Sequence, residues 1–195
     1  MAKLNLKPDE MVRLGELARS PKDGKYLFLG FSLDLNTAEV SDLLSSGVDV
    51  IGAGAEILSI LLSHYSQAKQ TPATGKLIKF KDLPGGHAYE GAFINRAIKP
   101  VEEAFGEKPA GLVEAAKVLG GKSLSLGDSS VEIPALEGVP ITYILWASGE
   151  FEASATVLFD ESASNFLPTE DLAVLGELAT YRLKKASEHL NASRA

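Results

Sequence analysis

The sequence predicts an α+β fold, with an antiparallel sheet made of a three-strand meander near residues 130–159 plus N-terminal strands, packed by several helices. Helical and strand patterns are segregated along the chain rather than alternating as βαβ units do. The runs Ser130 to Pro134, Val139 to Ala147 and Phe151 to Phe159 are rich in β-branched and aromatic residues, and only short Gly-Val-Pro and Ser-Gly-Glu turns separate them, as in antiparallel neighbours. A length of 195 residues with 45% hydrophobic content suits one core, so a single domain over 1–195 is expected.

The elements follow in order. Met11, Val12, Leu14, Leu17 and Ala18 recur at three- and four-residue spacings and predict a short helix over 8–18, stopped by the turn cluster Ser20 to Gly24. Tyr26 to Leu35 reads as one bent strand or a tight hairpin, with Gly30 permitting the bend. Asn36 to Gly54 has no clean period and reads as irregular. Ile57, Leu58, Leu61, Leu62, Tyr65 and Ala68 mark the apolar face of a helix over 55–69, with Ser59, Ser63, Ser66 and Gln67 on its polar face. Leu77 to Phe80 is a candidate short strand, and Leu83-Pro84-Gly85-Gly86 is a turn. Phe93, Ile94, Ala97 and Ile98 continue helically until Pro100 forces a kink or a new first turn. Pro109 to Leu119 is helical, closed by Gly120-Gly121 as a C-cap. Thr169 to about Ser187 carries Leu172, Leu175, Leu178, Ala179 and Leu183 on one face, with Thr169 expected as its N-cap.

Composition excludes several classes of function. A net charge of −7 removes the general attraction to phosphate backbones and anionic lipid, so neither nucleic acid nor membrane is an expected partner. Cysteine is absent, which rules out disulfides, thiolate metal sites and cysteine nucleophiles. The N-terminus has no apolar h-region and the most apolar stretch, Val48 to Leu62, falls short of the roughly 20 residues of a bilayer span; the expected location is the cytoplasm.

Two segments carry a family pattern. The first holds Leu61-Leu62-Ser63-His64-Tyr65, Thr71-Pro72-Ala73-Thr74-Gly75-Lys76, Leu83-Pro84-Gly85-Gly86 and Tyr89-Glu90-Gly91-Ala92-Phe93 with Arg96-Ala97. The second holds Gly127-Asp128, Val139-Pro140, Leu145-Trp146, Val157-Leu158-Phe159-Asp160 and the run Phe166 to Leu178. Together they resemble the prokaryotic family called domain of unknown function 3786, over roughly residues 56–185, leaving 1–54 as a divergent N-terminal part and 55–187 as the family-like part. Some members are similar to corrinoid iron-sulfur proteins of anaerobic one-carbon metabolism in a fused cysteine-rich segment. The resemblance therefore implies a redox, corrinoid or tetrapyrrole setting, in which this cysteine-free chain would receive a small-molecule cofactor or an iron-sulfur or corrinoid partner protein.

Candidate site residues are His64, Gly85, Gly86, His87, Tyr89 and Arg96, read as cofactor- or partner-binding. His64, on the Ile57, Leu61 and Ala68 edge of its helix, is placed to ligate a metal or move a proton; the bland alternative is a partly buried histidine bonded to backbone. The double glycine lets backbone approach a ligand, and His87, Tyr89 and Arg96 supply donors of different reach, whereas a plain turn into a helix is the other reading. A metal-assisted enzyme using His87 or His64 with Asp160 or Asp171 is the alternative function. Asp160 to Asp171 has oxygen side chains at calcium-loop spacing but lacks the loop's glycine and final glutamate. Gly52-Ala53-Gly54 fails as a dinucleotide fingerprint, because Ile57 occupies the third glycine position. His189 is expected in solvent and Trp146 in the core.

Overall fold

The computed structural model describes residues 1–18, 23–45 and 54–194. The turn cluster at 20–22 and the Gly52-Ala53 dipeptide lie outside the described residues, as do 46–53 of the segment read as irregular, while in its described part Glu39–Asp42 is a strand, too short to show a period. The α+β class holds, with the strands divided between two antiparallel sheets.

The N-terminal sheet is built from β1 (Ala2–Lys3), β2 (Lys25–Phe28), β3 (Phe31–Asp34) and β4 (Glu39–Asp42), in the order β1-β4-β3-β2. Of the two readings of Tyr26 to Leu35, the hairpin is correct, turning on Leu29 and Gly30 at φ 46° and 74°. Both residues in the left-handed region match the two-residue turns whose twist suits a hairpin. Between β1 and β2 runs α1 (Pro8–Leu17), started by the Glu10 carboxylate accepting the Lys7 N–H at 2.8 Å.

After α2 (Ala55–Ser66) comes the five-stranded sheet β5-β9-β8-β7-β6, formed by β5 (Leu77–Lys79), β6 (Lys122–Leu124), β7 (Ser129–Leu136), β8 (Val139–Trp146) and β9 (Ser154–Asp160). Its centre is the expected meander. Val131, Tyr143 and Val157 stand in one cross-strand row and Ile133, Ile141 and Phe159 in the next, all buried on a single face as the period of two requires. Phe151, read as part of the last strand, is instead in the loop before it and is 83% exposed; Trp146, read as core, is 42% exposed at the end of β8.

Three further helices pack around that face: α3 (Glu90–Phe93), α4 (Lys99–Phe105) and α5 (Ala110–Val118). A π-helical turn over Ile94–Ile98 joins α3 to α4, which is how the chain accommodates Pro100 at the start of α4. A Schellman motif closes α5, as the double glycine predicts: Gly121 N–H donates to Ala116 O at 2.8 Å and Gly120, at φ 77°, donates to Lys117 O at 3.1 Å. The last helix, α6 (Thr169–Arg194), outruns its expected end near 187 and packs against α2, α3, α4 and α5, with His189 exposed on it as expected. Its start differs from expectation too. Leu172 N–H bonds Pro168 O, so Thr169 is already inside the helix, and its hydroxyl donates to Pro84 O at 2.6 Å instead of capping. Apolar residues from both sheets and all the longer helices form one contiguous buried cluster.

Candidate functional site

On α2 the structure corrects the sequence reading of faces. Ile57 and Ile60 are about half exposed, at 52% and 49%, while Ser59 and Ser66 are buried. Each buried hydroxyl has a local acceptor: Ser59 donates to Ala55 O at 2.6 Å and Ser66 to Ser63 O at 2.7 Å, which removes the cost of placing a serine inside. Ser59 also accepts the Asn5 N–H at 3.0 Å, joining the helix to the chain after β1.

His64 sits one turn beyond Ile60 on this open face. Its Nδ1 lies 2.6 Å from Oδ2 of Asp171, in the first turn of α6; the imidazole is half exposed and the carboxylate only 11% exposed. A carboxylate at that distance accepts a hydrogen bond from Nδ1–H, and in the neutral imidazole that tautomer has its lone pair on Nε2. The imidazole borders a groove of about 530 Å³ between α2 and the chain from Lys3 to Glu10, with Glu56, Ser59, Ile60 and Ser63 along its α2 wall. On the opposite wall, burial raises the Glu10 carboxyl's pKa, but the Lys7 amide and the Ser63 hydroxyl at 2.6 Å outweigh it and hold the group below its ordinary value. Glu10 is therefore an anion that shapes the groove.

The remaining nominated residues do not join His64. Gly85 is accounted for by its left-handed φ of 76°, and Gly86 by close packing, since a Cβ there would stand 2.1 Å from Phe80 O. His87 is 88% exposed, with Nδ1 3.6 Å from Glu90; Tyr89 is half exposed; Arg96, 67% exposed, reaches Glu177 of α6 at 3.5 Å. Thr169 faces this segment through Pro84, whereas Asp171 faces His64. Residues two apart on a helix project roughly 200° apart, so the start of α6 separates the two groups of candidates.

Asp160 has a different task. Its Oδ1 accepts from the Thr74 N–H and hydroxyl, both at 3.0 Å, and from Ser162 N–H at 2.9 Å, while Oδ2 accepts Gly75 N–H at 2.7 Å. Burial pushes this carboxyl up, yet the Ser162, Thr74 and Gly75 donors prevail and hold it far below the carboxylate range. Residues 161–165 form a 3₁₀ helix that Asp160 caps, so the segment 160–171 is not a calcium loop. Among the described residues, no group of three or more His, Asp or Glu side chains is placed to hold a metal ion, and no helix is long and apolar enough to cross a membrane.

Sequence reasoning missed Arg182. It is 1% exposed on α6, pairs with Asp42 of β4 at 2.9 and 2.5 Å, donates to Leu29 O at 2.8 Å and Gly30 O at 3.2 Å, and lies over the Phe31 ring at 4.0 Å. A cation interrupting the apolar stripe between Ala179 and Ala186 was the available signal.

The family model described as Domain of unknown function (DUF3786) matches residues 28–182, and the chain belongs to that family. The match reaches further back than the 56–185 of the sequence motifs, taking in the β2–β3 turn and Asp42 at one end and Arg182 at the other. No match to a curated protein or to a solved structure was found.

Proposed function

We propose that the chain is a binding module whose contact centre is His64, acting as a single ligand to a metal that a cofactor or partner protein brings with it. The carrying observation is the 2.6 Å bond from His64 Nδ1 to the nearly buried Asp171 carboxylate, beside the exposed Ile57 and Ile60 of the same helix face. Metal-ligating histidines are held in this way: a carboxylate on one ring nitrogen orients the ring and makes the other nitrogen more basic. Two exposed isoleucines suit a flat apolar ligand such as the edge of a tetrapyrrole or corrinoid, or the apolar border of an iron-sulfur or corrinoid partner protein. The donor set fits a metal that arrives with most of its coordination sphere, since His64 offers one nitrogen. Such a group would supply the redox or metal-carbon chemistry, while this chain would bind and orient it.

The alternative, a metal-assisted enzyme, draws less support from the same geometry. Asp160 is occupied by four donors, and the Ser59 and Ser63 hydroxyls beside His64 are bonded to Ala55 O and Glu10.

Titration of the purified protein with haemin and with aquocobalamin, followed by visible absorbance, tests the proposal. A saturable band shift is expected in the wild type, absent in His64→Ala and weakened about 10- to 100-fold in Asp171→Asn. His87→Ala and Arg96→Ala should leave it intact. Loss in those two variants, with retention in His64→Ala, would move the site to the Gly85–Arg96 segment and overturn this assignment.

A further inference from the structure

The connection between β8 and β9 displays two large aromatic side chains on a firmly held loop. Ala147 N–H donates to Asp128 at 2.8 Å, Ser148 N–H to Gly106 O at 3.0 Å, and Gly149 N–H to Phe151 O at 3.0 Å. Beyond the tip, Ala155 N–H donates to Glu102 at 2.8 Å. A Cβ on Gly106 would lie 2.4 Å from that of Ala153, so α4 ends hard against the loop. The loop is thus tied on both sides of a phenylalanine that is 83% exposed, and Trp146 is 42% exposed beside it. The two rings line an open groove of about 490 Å³ together with Glu150 and Glu152, and no basic side chain contributes to it. Among the described residues, neither glutamate has an ion-pair partner.

We infer that this groove is a docking surface for a basic segment of a partner protein, with an arginine or lysine side chain received against Trp146 and Phe151 and its charge met by Glu150 and Glu152. Aromatic faces attract cations, and two carboxylates without a counter-cation in the groove complete the complementarity. Because the groove is shallow and open, a free small molecule would bury little of itself there, whereas a side chain presented by a folded partner is already positioned. Exposed aromatics on a rigid loop are the anchors from which interfaces draw most of their energy. None of these residues belongs to the His64 groove, so the inference stands apart from the function proposed above.

Trp146 is the sole tryptophan of the chain, which makes its emission a reporter confined to this groove. The probe is a short peptide alternating arginine and leucine, titrated at physiological ionic strength against a glutamate-leucine control and free arginine amide. The expected result is a saturable emission change with the basic peptide alone, weakened at least about tenfold by Phe151→Ser and by Glu150→Gln with Glu152→Gln. All three positions are exposed, and an unchanged far-UV spectrum verifies folding of the variants. No response to the basic peptide, equal response to the acidic one, or affinity unaltered in either variant overturns the inference. Arginine amide saturating as tightly as the peptide, or an emission change on concentrating the protein alone, also overturns it, in favour of a small-cation site or of self-association.

Discussion

Replacing Asp160 by alanine would leave the amides of Thr74, Gly75 and Ser162 without their shared acceptor, at a site where the carboxylate is 3% exposed. A cost of roughly 2–3 kcal/mol is expected in urea unfolding at pH 7, the scale of buried donors losing a charged acceptor. The pH dependence has a definite sign. Asp160, Asp42 and Glu10 all titrate lower in the folded protein than their ordinary values. The unfolded chain therefore binds more protons as pH falls, and the stability these groups contribute, complete above about pH 5, declines below about pH 4 through the folded values. Asp160→Asn should flatten the slope of stability against pH in that acid window; an unchanged slope would refute the structural role. The sequence near Asp160 disclosed only the local part of this role, its contact with Ser162, because Thr74 and Gly75 lie more than eighty residues away. His64 and Asp171 were each legible as candidates, from helical spacing and from the acidic first turn of α6. Their pairing across 107 residues was not, since neither position carries a sign of the other.

At the scale of elements, one buried ion pair fastens the N-terminal sheet to α6. Arg182→Met would leave Asp42, 5% exposed, without its guanidinium, although the Leu44 amide and Ser45 hydroxyl still reach it. The expected loss is about 3–5 kcal/mol by denaturant unfolding, with Asp42→Asn combined with Arg182→Met costing clearly less than the two single effects together. Additive costs would show that the pair does not act as a unit. A gentler test lies in the turn. Thr169→Val keeps the shape of the side chain and removes its bond to Pro84 O, so a loss of about 1 kcal/mol is expected, with no effect on the titration at His64. Periodicity made α1, α2, α5, α6 and the meander readable, because each buries one face. The strands β1, β4 and β6 escaped it, being two to four residues long and too short to display alternation. Ile57 was misplaced because an isoleucine at helical spacing reads as core, and its exposure beside His64 is part of what marks the site.

Over the whole molecule, the question is whether two sheets make two folding units. Their strands do not hydrogen-bond to one another, which on topology alone would permit the N-terminal sheet to melt separately. Three features oppose that. The buried apolar cluster runs without a break from Leu4 to Ala186. The Arg182 guanidinium bonds β4 and the β2–β3 turn from within α6. Tyr26 of β2 and Tyr65 of α2 converge on the backbone of Glu137, in the β7–β8 turn, at 3.4 and 2.6 Å, and burial raises the Tyr26 hydroxyl to about 12, so it remains a neutral hydrogen-bonding group across the physiological range. Unfolding is therefore proposed to be a single cooperative event. The lone tryptophan belongs to the five-stranded sheet, whereas far-UV circular dichroism reports both sheets and the helices together, so the two signals separate the possibilities. Coincident urea transitions are expected in the wild type. In Arg182→Met they should shift together to lower denaturant, because the contiguous core still couples the sheets once the ion pair is gone. A loss of dichroism that precedes the Trp146 transition in the wild type would show that the N-terminal sheet is an independent unit, and would contradict the single domain expected from length and composition.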